Sequence, residues 1–351
     1  MQIRTMLLSS RCRAALSLAF AFSHVPAALP QQTAQTSPDI HVSVDRVNVG
    51  VVVTDSHGQF VGGLSRKDFH IFDEGIEQPI TDFLSVDGPA QVLLLIEAGP
   101  AVYLLQGAHV QAVHALLAGL APNDRVAIAR YNEAAEPILN FTPDKPVAES
   151  ALDQLRFNLG FGQLNLASSL ATALDWLGRV PGKKSLVLLS TGIDTSPPTA
   201  VQNLLAHLKS ADVRVLAVSL GGELRVPQPA ENKRSKKVSA TPEKTQAVNE
   251  ALSQADEELQ AIAQTNGGRA YFPVTSKDFA EVFPQIAQLV RHEYNLGFVP
   301  PSHDGKIHSI DVRVTDTPAA NSSSAPSDAP LPAAFRVDHR QAYVAPPPEH
   351  P

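Results

Sequence analysis

A chain of 351 residues, 44% of them hydrophobic, can bury one sizeable core and a smaller one. Its formal charge of −7 offers little attraction to nucleic acid, so no nucleic-acid partner is expected. The single cysteine, Cys12, lies close to the N-terminus, and a chain cut beyond it has neither disulfides nor thiolate chemistry.

Residues 1–28 read as a signal peptide. Arg4, Arg11 and Arg13 precede or border the short apolar run Ala14–Phe22, the small residues Val25, Ala27 and Ala28 follow, and no acidic residue occurs before Asp39. The run is shorter than the about 20 apolar residues that span a bilayer. An uncleaved anchor is the alternative. Ser9, Ser10 and Arg11 ahead of Cys12 do not make a lipoprotein-type site. Cleavage removes three arginines and no acid, taking the formal charge from −7 to −10. No later segment is apolar enough to cross a membrane, so the expectation is a secreted or periplasmic protein.

Residues 29–39 form a polar, proline-containing linker, and a β-rich unit follows over residues 40–88. His41–Val44 and Val47–Thr54 read as strands rich in β-branched residues. Turns fall at Asp55–Gly58, at Gly62 and Gly63, and at Asp73–Gly75, with Phe69–Phe72 and Gln78–Phe83 extended between or after them. Short strands broken by turns predict a small β-sandwich.

The pattern changes over residues 89–292. Val92–Ile96 is a continuous apolar run, as a parallel strand buried on both faces requires. Further buried strands are expected at Val126–Ala129, Pro137–Phe141, Ser185–Leu189, Val213–Val218 and Arg269–Phe272. Helical stripes lie between them: Val102, Leu105, Val113, Leu116 and Leu120; then Leu166, Leu170, Leu174 and Leu177. Residues 197–210 and 276–291 add two more, and Val248, Leu252, Ala255, Leu259 and Ile262 another, stopped by Asn266, Gly267 and Gly268. Strands alternating with helices predict an α/β fold, a doubly wound, mostly parallel six-stranded sheet. Residues 293–347 turn β again, with Tyr294–Phe298, Ile307–Val314, Phe335–Val337 and Ala342–Val344. A Pro, Ser and Ala-rich loop interrupts them at 315–332. This segment is expected to pair with residues 40–88 in one flanking β-sandwich-like unit.

In a doubly wound sheet, ligands meet the carboxyl ends of the strands where strand order reverses. That point should lie between Val92–Ile96 and Ser185–Leu189, so the loops Glu97–Ala101 and Ser190–Asp194 are decisive. This arrangement resembles a von Willebrand factor A domain. The flanks sharpen the resemblance: Thr54, Asp55 and Gly58, then Asp68 and Phe69, then Tyr294–Phe298 and Arg340–Tyr343 are similar to bacterial exported proteins called VWFA-related. The likeness covers nearly all of residues 40–346.

The resemblance implies a metal-ion-dependent adhesion site, built from Asp-x-Ser-x-Ser after the first strand, a Thr from a later loop and an Asp after the fourth strand. Here those positions hold Glu97, Gly99, Ala101, Leu164 and Thr191. Too few oxygen ligands remain to hold Mg²⁺ against its hydration, so the site is expected to be degenerate, with no metal and no other cofactor. An ordinary strand-to-helix turn with Pro100 near the helix start accounts for the loop equally simply.

No nucleophile elbow, phosphate loop or paired-histidine zinc motif occurs, so no catalytic residue is expected. His109 and His114 are five apart on one expected helix and do not face a common ligand; His303 and His308 read as incidental, and Asp256–Glu258 as a solvated helix face. The loop 221–246 carries Lys233, Arg234, Lys236 and Lys237 and should emerge beside the degenerate site. It reads either as a solvated insertion or as a contact for an acidic partner or glycan. A protein partner of unknown identity would then meet Glu97, Thr191, Asp194 and these four basic residues. The function so implied is an exported, non-catalytic protein–protein interaction module of adhesion type. The alternative is a structural subunit of a cell-envelope assembly.

Overall fold

The computed structural model describes residues 46–86, 88–103, 106–157, 162–225, 242–315 and 335–347, without the side chains of 101, 103, 106–112 and 242. The expected signal peptide, linker and strand His41–Val44 lie outside the described residues, as do Lys233, Arg234, Lys236, Lys237 and the loop 316–332. In chain order the strands are β1 (Val47–Thr54), β2 (Phe69–Asp73), β3 (Ile76–Gln78), β4 (Asp82–Val86) and β5 (Ala90–Glu97). Helices α1 (Pro100–Tyr103) and α2 (Gln106–Gly119) precede β6 (Arg125–Tyr131) and β7 (Ala135–Thr142). Then come α3 (Lys145–Asp153), α4 (Leu166–Gly178), β8 (Lys183–Ser190), α5 (Pro198–Ser210) and β9 (Arg214–Ser219). Helix α6 (Pro242–Thr265), β10 (Arg269–Tyr271) and α7 (Ser276–Arg291) complete the alternation. Strands β11 (Glu293–Phe298), β12 (Ile307–Val314), β13 (Arg336–His339) and β14 (Ala342–Val344) follow. No helix among the described residues is long and apolar enough to cross a membrane.

The six-stranded sheet has the order β10-β9-β8-β5-β6-β7. Its strand order reverses between β5 and β8, as the alternation of strands and helices predicts. Strand β5 is buried at every position but the half-buried Gln91, because both faces are covered. Val92, Leu94 and Ile96 point into one core with α2, α3 and α7, while Leu93 and Leu95 point into a second with α4, α5 and α6. Each such side chain contributes roughly 1.5–3 kcal/mol on burial, which is why alternation disappears from the sequence of this strand.

Two four-stranded antiparallel sheets form the flanking unit, with orders β13-β1-β11-β4 and β14-β12-β2-β3. Each contains strands from both ends of the chain: Val49 pairs with Leu296, and Phe72 with Asp311. Val47, Val49, Val51 and Val53 face the sandwich core, while Val52, on the opposite face of β1, joins the core of α7. Tyr294 lies in the middle of the sandwich against Phe60, Phe69 and Phe83, and its hydroxyl donates to the Val61 carbonyl at 2.8 Å. Two buried ion pairs tie the sandwich to the central sheet. Arg214 of β9 meets Glu293 of β11 at 3.1 Å, and Arg269 of β10 meets Asp338 of β13 and the Thr54 hydroxyl.

Three local expectations need correction. The segment Pro137–Phe141 is not a buried strand: β7 runs antiparallel at the sheet edge and is largely exposed. The extended segment Gln78–Phe83 is broken, because Pro79 has no N–H for a ladder, and β3 and β4 join different sheets. His308 is not incidental. Its Nδ1 lies 3.3 Å from Asp73 Oδ1 and its Nε2 3.2 Å from Asp304 Oδ1, while Tyr343 donates to the other Asp73 oxygen at 3.1 Å.

Burial of the His308 ring opposes its charge, but the Asp304 hydrogen bond and the Asp73 and Asp304 charges outweigh it and hold the pKa above 6.5. A histidine raised on folding stabilises the protein fully below its unfolded value, and that stabilisation is lost as pH rises through the folded one. The melting temperature should therefore fall as pH rises from 6.5 through the raised folded value, and H308Q should flatten that slope. Thermal denaturation of both proteins across this range checks it; parallel slopes would refute the assignment.

Candidate functional site

The carboxyl ends of β5, β6 and β8 converge at the reversal point, and the residues following them form a crest. Strand β5 ends in Glu97, whose side chain is fully buried. Glu97 Oε2 accepts from the Thr191 amide at 2.7 Å, the Thr191 hydroxyl at 2.8 Å and the Ser190 hydroxyl at 3.1 Å. Tyr131 Oη lies 2.6 Å from Ser190 Oγ and 3.3 Å from Glu97 Oε2. A relay from Tyr131 through Ser190 to Glu97 satisfies both hydroxyls with one proton each. Glu97 Oε1, in contrast, is buried with no hydrogen-bond partner among the described residues.

Burial pushes the Glu97 carboxyl up from 4.5, against the pull of the Thr191, Ser190 and Tyr131 hydrogen bonds. Burial, helped by the neighbouring Glu97 charge, also drives the Tyr131 hydroxyl well above 10.0. Glu97, Ser190, Thr191 and Tyr131 thus form a buried, hydrogen-bonded polar plug at the strand ends.

Leu164 covers this plug. A β-carbon at Gly99 would stand 2.9 Å from Leu164 Cδ2 and 3.4 Å from Glu97 Oε1, so the leucine methyl and the unpartnered oxygen flank the same point. A serine at 99, as the family pattern requires, would force the Leu164 methyl to shift. The two departures are thus one change, in which an oxygen ligand is lost and an apolar group fills the space. Thr195 clamps Leu164 from above: its hydroxyl accepts from the Leu164 amide at 2.9 Å and its amide donates to the Leu164 carbonyl at 2.7 Å.

Glu97 and Thr191 were expected to meet a partner, and the structure corrects this. Both are fully buried, and the Thr191 amide and hydroxyl donate to Glu97 Oε2. Asp194 is also occupied. Its two oxygens accept from the amides of Leu166 at 3.1 Å, Ala167 at 3.0 Å and Ser196 at 2.8 Å. It caps α4, whose own N-cap residue Asn165 makes no side-chain cap bond. Gly192 adopts φ +76°, and a β-carbon there would stand 2.7 Å from the Ala255 carbonyl of α6, so only glycine lets that helix close over β8. Ala101 and His109 have side chains outside the described residues.

Sequence reasoning misplaced one crest residue. Asp256 is not on a solvated face: it accepts from the Ser219 hydroxyl at 2.6 Å and pairs with Arg225. The signal was available in principle, since Ser219 ends β9 and Asp256 lies on the buried stripe beside Ala255 and Leu259. Elsewhere, Asp73, Glu74 and His308 are close enough to share a cation, but each is engaged within the protein: Glu74 Oε1 accepts from the Ser309 amide at 2.6 Å, and Asp73 and His308 bond each other.

The fold and crest define a doubly wound α/β domain whose ligand-binding edge is closed by its own side chains. The von Willebrand factor type A domain model matches residues 108–288, just over half of the chain. The chain belongs to the von Willebrand factor type A domain family. Among solved structures it is similar to an aerotolerance-related membrane protein from Bacteroides fragilis (15% identity, 57% of this chain and 99% of that one, TM-score 0.42). It is also similar to BatB from Bacteroides thetaiotaomicron (14% identity, 57% and 98%, TM-score 0.41). A von Willebrand factor type A protein from Catenulispora acidiphila matches at 13% identity over 71% and 69%, with TM-score 0.44. No curated protein matches.

A carboxyl raised on folding binds a proton more tightly in the native state, so Glu97 lowers stability as pH climbs from 4.5 through its folded value. E97Q should equal or exceed the wild type in stability at neutral pH, and the difference should vanish below pH 4.5. E97L leaves the Thr191 and Ser190 donors without an acceptor and should cost about 2 kcal/mol or more. D194A should cost about 1–2 kcal/mol through the lost cap. Denaturant unfolding of the three variants at two pH values measures all of these.

Proposed function

We propose that the protein is an exported, non-catalytic protein-interaction module whose crest engages a partner without a divalent cation. The observation that carries this reading is the leucine at 164 over Gly99 and the capped carboxyl of Glu97. Hard cations need several oxygen ligands in one shell. At this point the chain offers one open carboxylate oxygen, Glu97 Oε1, beside an aliphatic methyl. The polar groups that could do chemistry are committed to fixed hydrogen bonds, which supports a binding role over turnover.

The contact surface is then the exterior of the plug: the exposed Gln163 and Thr195 with the half-buried Leu164 and Ile193. Lys233, Arg234, Lys236 and Lys237, which follow Arg225 in the sequence, would add cationic contacts for an acidic partner. The apolar plug would supply burial and the basic segment on-rate.

Mg²⁺, Mn²⁺ and Ca²⁺ should leave the melting temperature of the chelator-treated protein unchanged. A saturable rise of several degrees with any of them would overturn the metal-free reading. Capture of a defined partner from envelope extracts should be lost in L164D and weakened by deleting residues 226–241. Capture that survives both changes would remove the crest as the binding surface.

A further inference from the structure

At the opposite edge of the central sheet, beneath the amino ends of β8 and β9, lies a cavity of about 260 Å³ between the sheet and the sandwich. That is near the lower end of the about 300–1,000 Å³ of ordinary small-molecule sites. Its wall carries Lys183, Lys184, Arg214 and Arg340 against Asp212 and Glu293, an excess of two positive charges. The whole chain carries −7, so this wall runs against the sign of the protein.

The charges are unevenly neutralised. Arg214 is held by Glu293 at 3.1 Å, and Lys184 lies 3.6 Å from Asp212. Lys183 donates to the Arg291 carbonyl. Arg340 donates through Nη2 to the Asn48 carbonyl at 2.6 Å, but its Nε–H is buried and meets no acceptor. The Asp212 charge acts on this guanidinium, but a partly buried arginine whose Nε–H lacks an acceptor still gains from an anion that completes it. On the same wall, Asn295 Oδ1 is also buried, with no donor. Gly50 supplies part of the space, since a β-carbon there would stand 3.1 Å from Glu293 Oε2.

We propose that this cavity binds a small organic carboxylate that also carries a hydroxyl or amino group. The unpartnered Nε edge of Arg340 takes the carboxylate, whose planar pair of oxygens matches a guanidinium edge. The hydroxyl or amine donates to Asn295 Oδ1. The paired Arg214 and Glu293 form the floor, with the lysines adding long-range attraction. The site is independent of the crest, and it bridges the central sheet and the sandwich, so occupancy stabilises their junction by mass action.

The test is thermal denaturation and calorimetric titration of the full chain at constant ionic strength, with an α-hydroxy acid, an α-amino acid, acetate, inorganic phosphate and chloride. A hydroxy or amino carboxylate should raise the melting temperature saturably, acetate should bind at least tenfold more weakly, and chloride should have no effect. R340M should abolish the response, whereas R313M, which removes an exposed arginine stacked on Phe72, should leave it intact. N295D keeps the fold but places a carboxylate in the cavity, and should weaken binding at least tenfold. The proposal is overturned if no carboxylate binds, if phosphate binds as tightly, or if N295D binds as the wild type does.

Discussion

A carboxyl group with no access to water must find donors, and this requirement organises the crest. Glu97 is one methylene longer than the aspartate of the family pattern, and that length carries its oxygen across the gap to the end of β8. There the amide and hydroxyl of Thr191 meet it, with Ser190 and Tyr131 behind. The strand ends of β5, β6 and β8 are thereby joined through side chains as well as through the ladder. An aspartate after β8 would place a second carboxylate against Glu97 in a buried space, where like charges are unfavourable. Threonine at 191 answers this, because it donates where aspartate would repel. Two pairs of the departures from the metal-site pattern are therefore in physical contact, Glu97 with Thr191 and Gly99 with Leu164.

The same logic of buried charge holds the two parts of the protein together. The chain leaves the central domain through α7 and returns at once as β11, which pairs with β1 over five residues. Arg214–Glu293 and Arg269–Asp338 cross this junction, each with both side chains largely buried. Breaking such a pair from one side typically costs about 3–5 kcal/mol, far more than a surface pair. The sandwich is thus fixed to the sheet at defined points, and Val52 of β1 adds apolar contact with the α7 core.

Much of this was legible from residue order alone. Continuous apolar runs such as Val92–Ile96 and Leu186–Leu189 arise because both faces are covered, and they placed the reversal point correctly. The position of β7 was not legible, because Ile138 and Phe141 look apolar in sequence while the edge leaves the strand half in solvent. Asp194 was readable as a crest carboxylate but not as a cap, since it serves a helix that begins 28 residues earlier. Leu164 was visible as a missing threonine. Its role as a plug depends on Gly99, and that coupling exists only in three dimensions. His308 failed for the same reason: one of its carboxylates, Asp304, is local, and the other, Asp73, is 235 residues away.

The two ends of the central sheet consequently carry opposite chemistry. At the carboxyl ends, among the described residues, Glu97 Oε2 and both oxygens of Asp194 are bonded within the protein while Glu97 Oε1 is not, and Leu164 and α6 pack against Gly99 and Gly192. At the amino ends, strands β8 and β9 begin with Lys183, Lys184 and Arg214, and the sandwich adds Arg340. Cations gathered on one wall would repel each other in an apolar setting, so their persistence requires either solvent or counter-charge. Two carboxylates cover half of that demand. A protein that has sealed the customary ligand edge of its fold therefore keeps its incompletely neutralised charge at the other edge, where the sandwich meets the sheet.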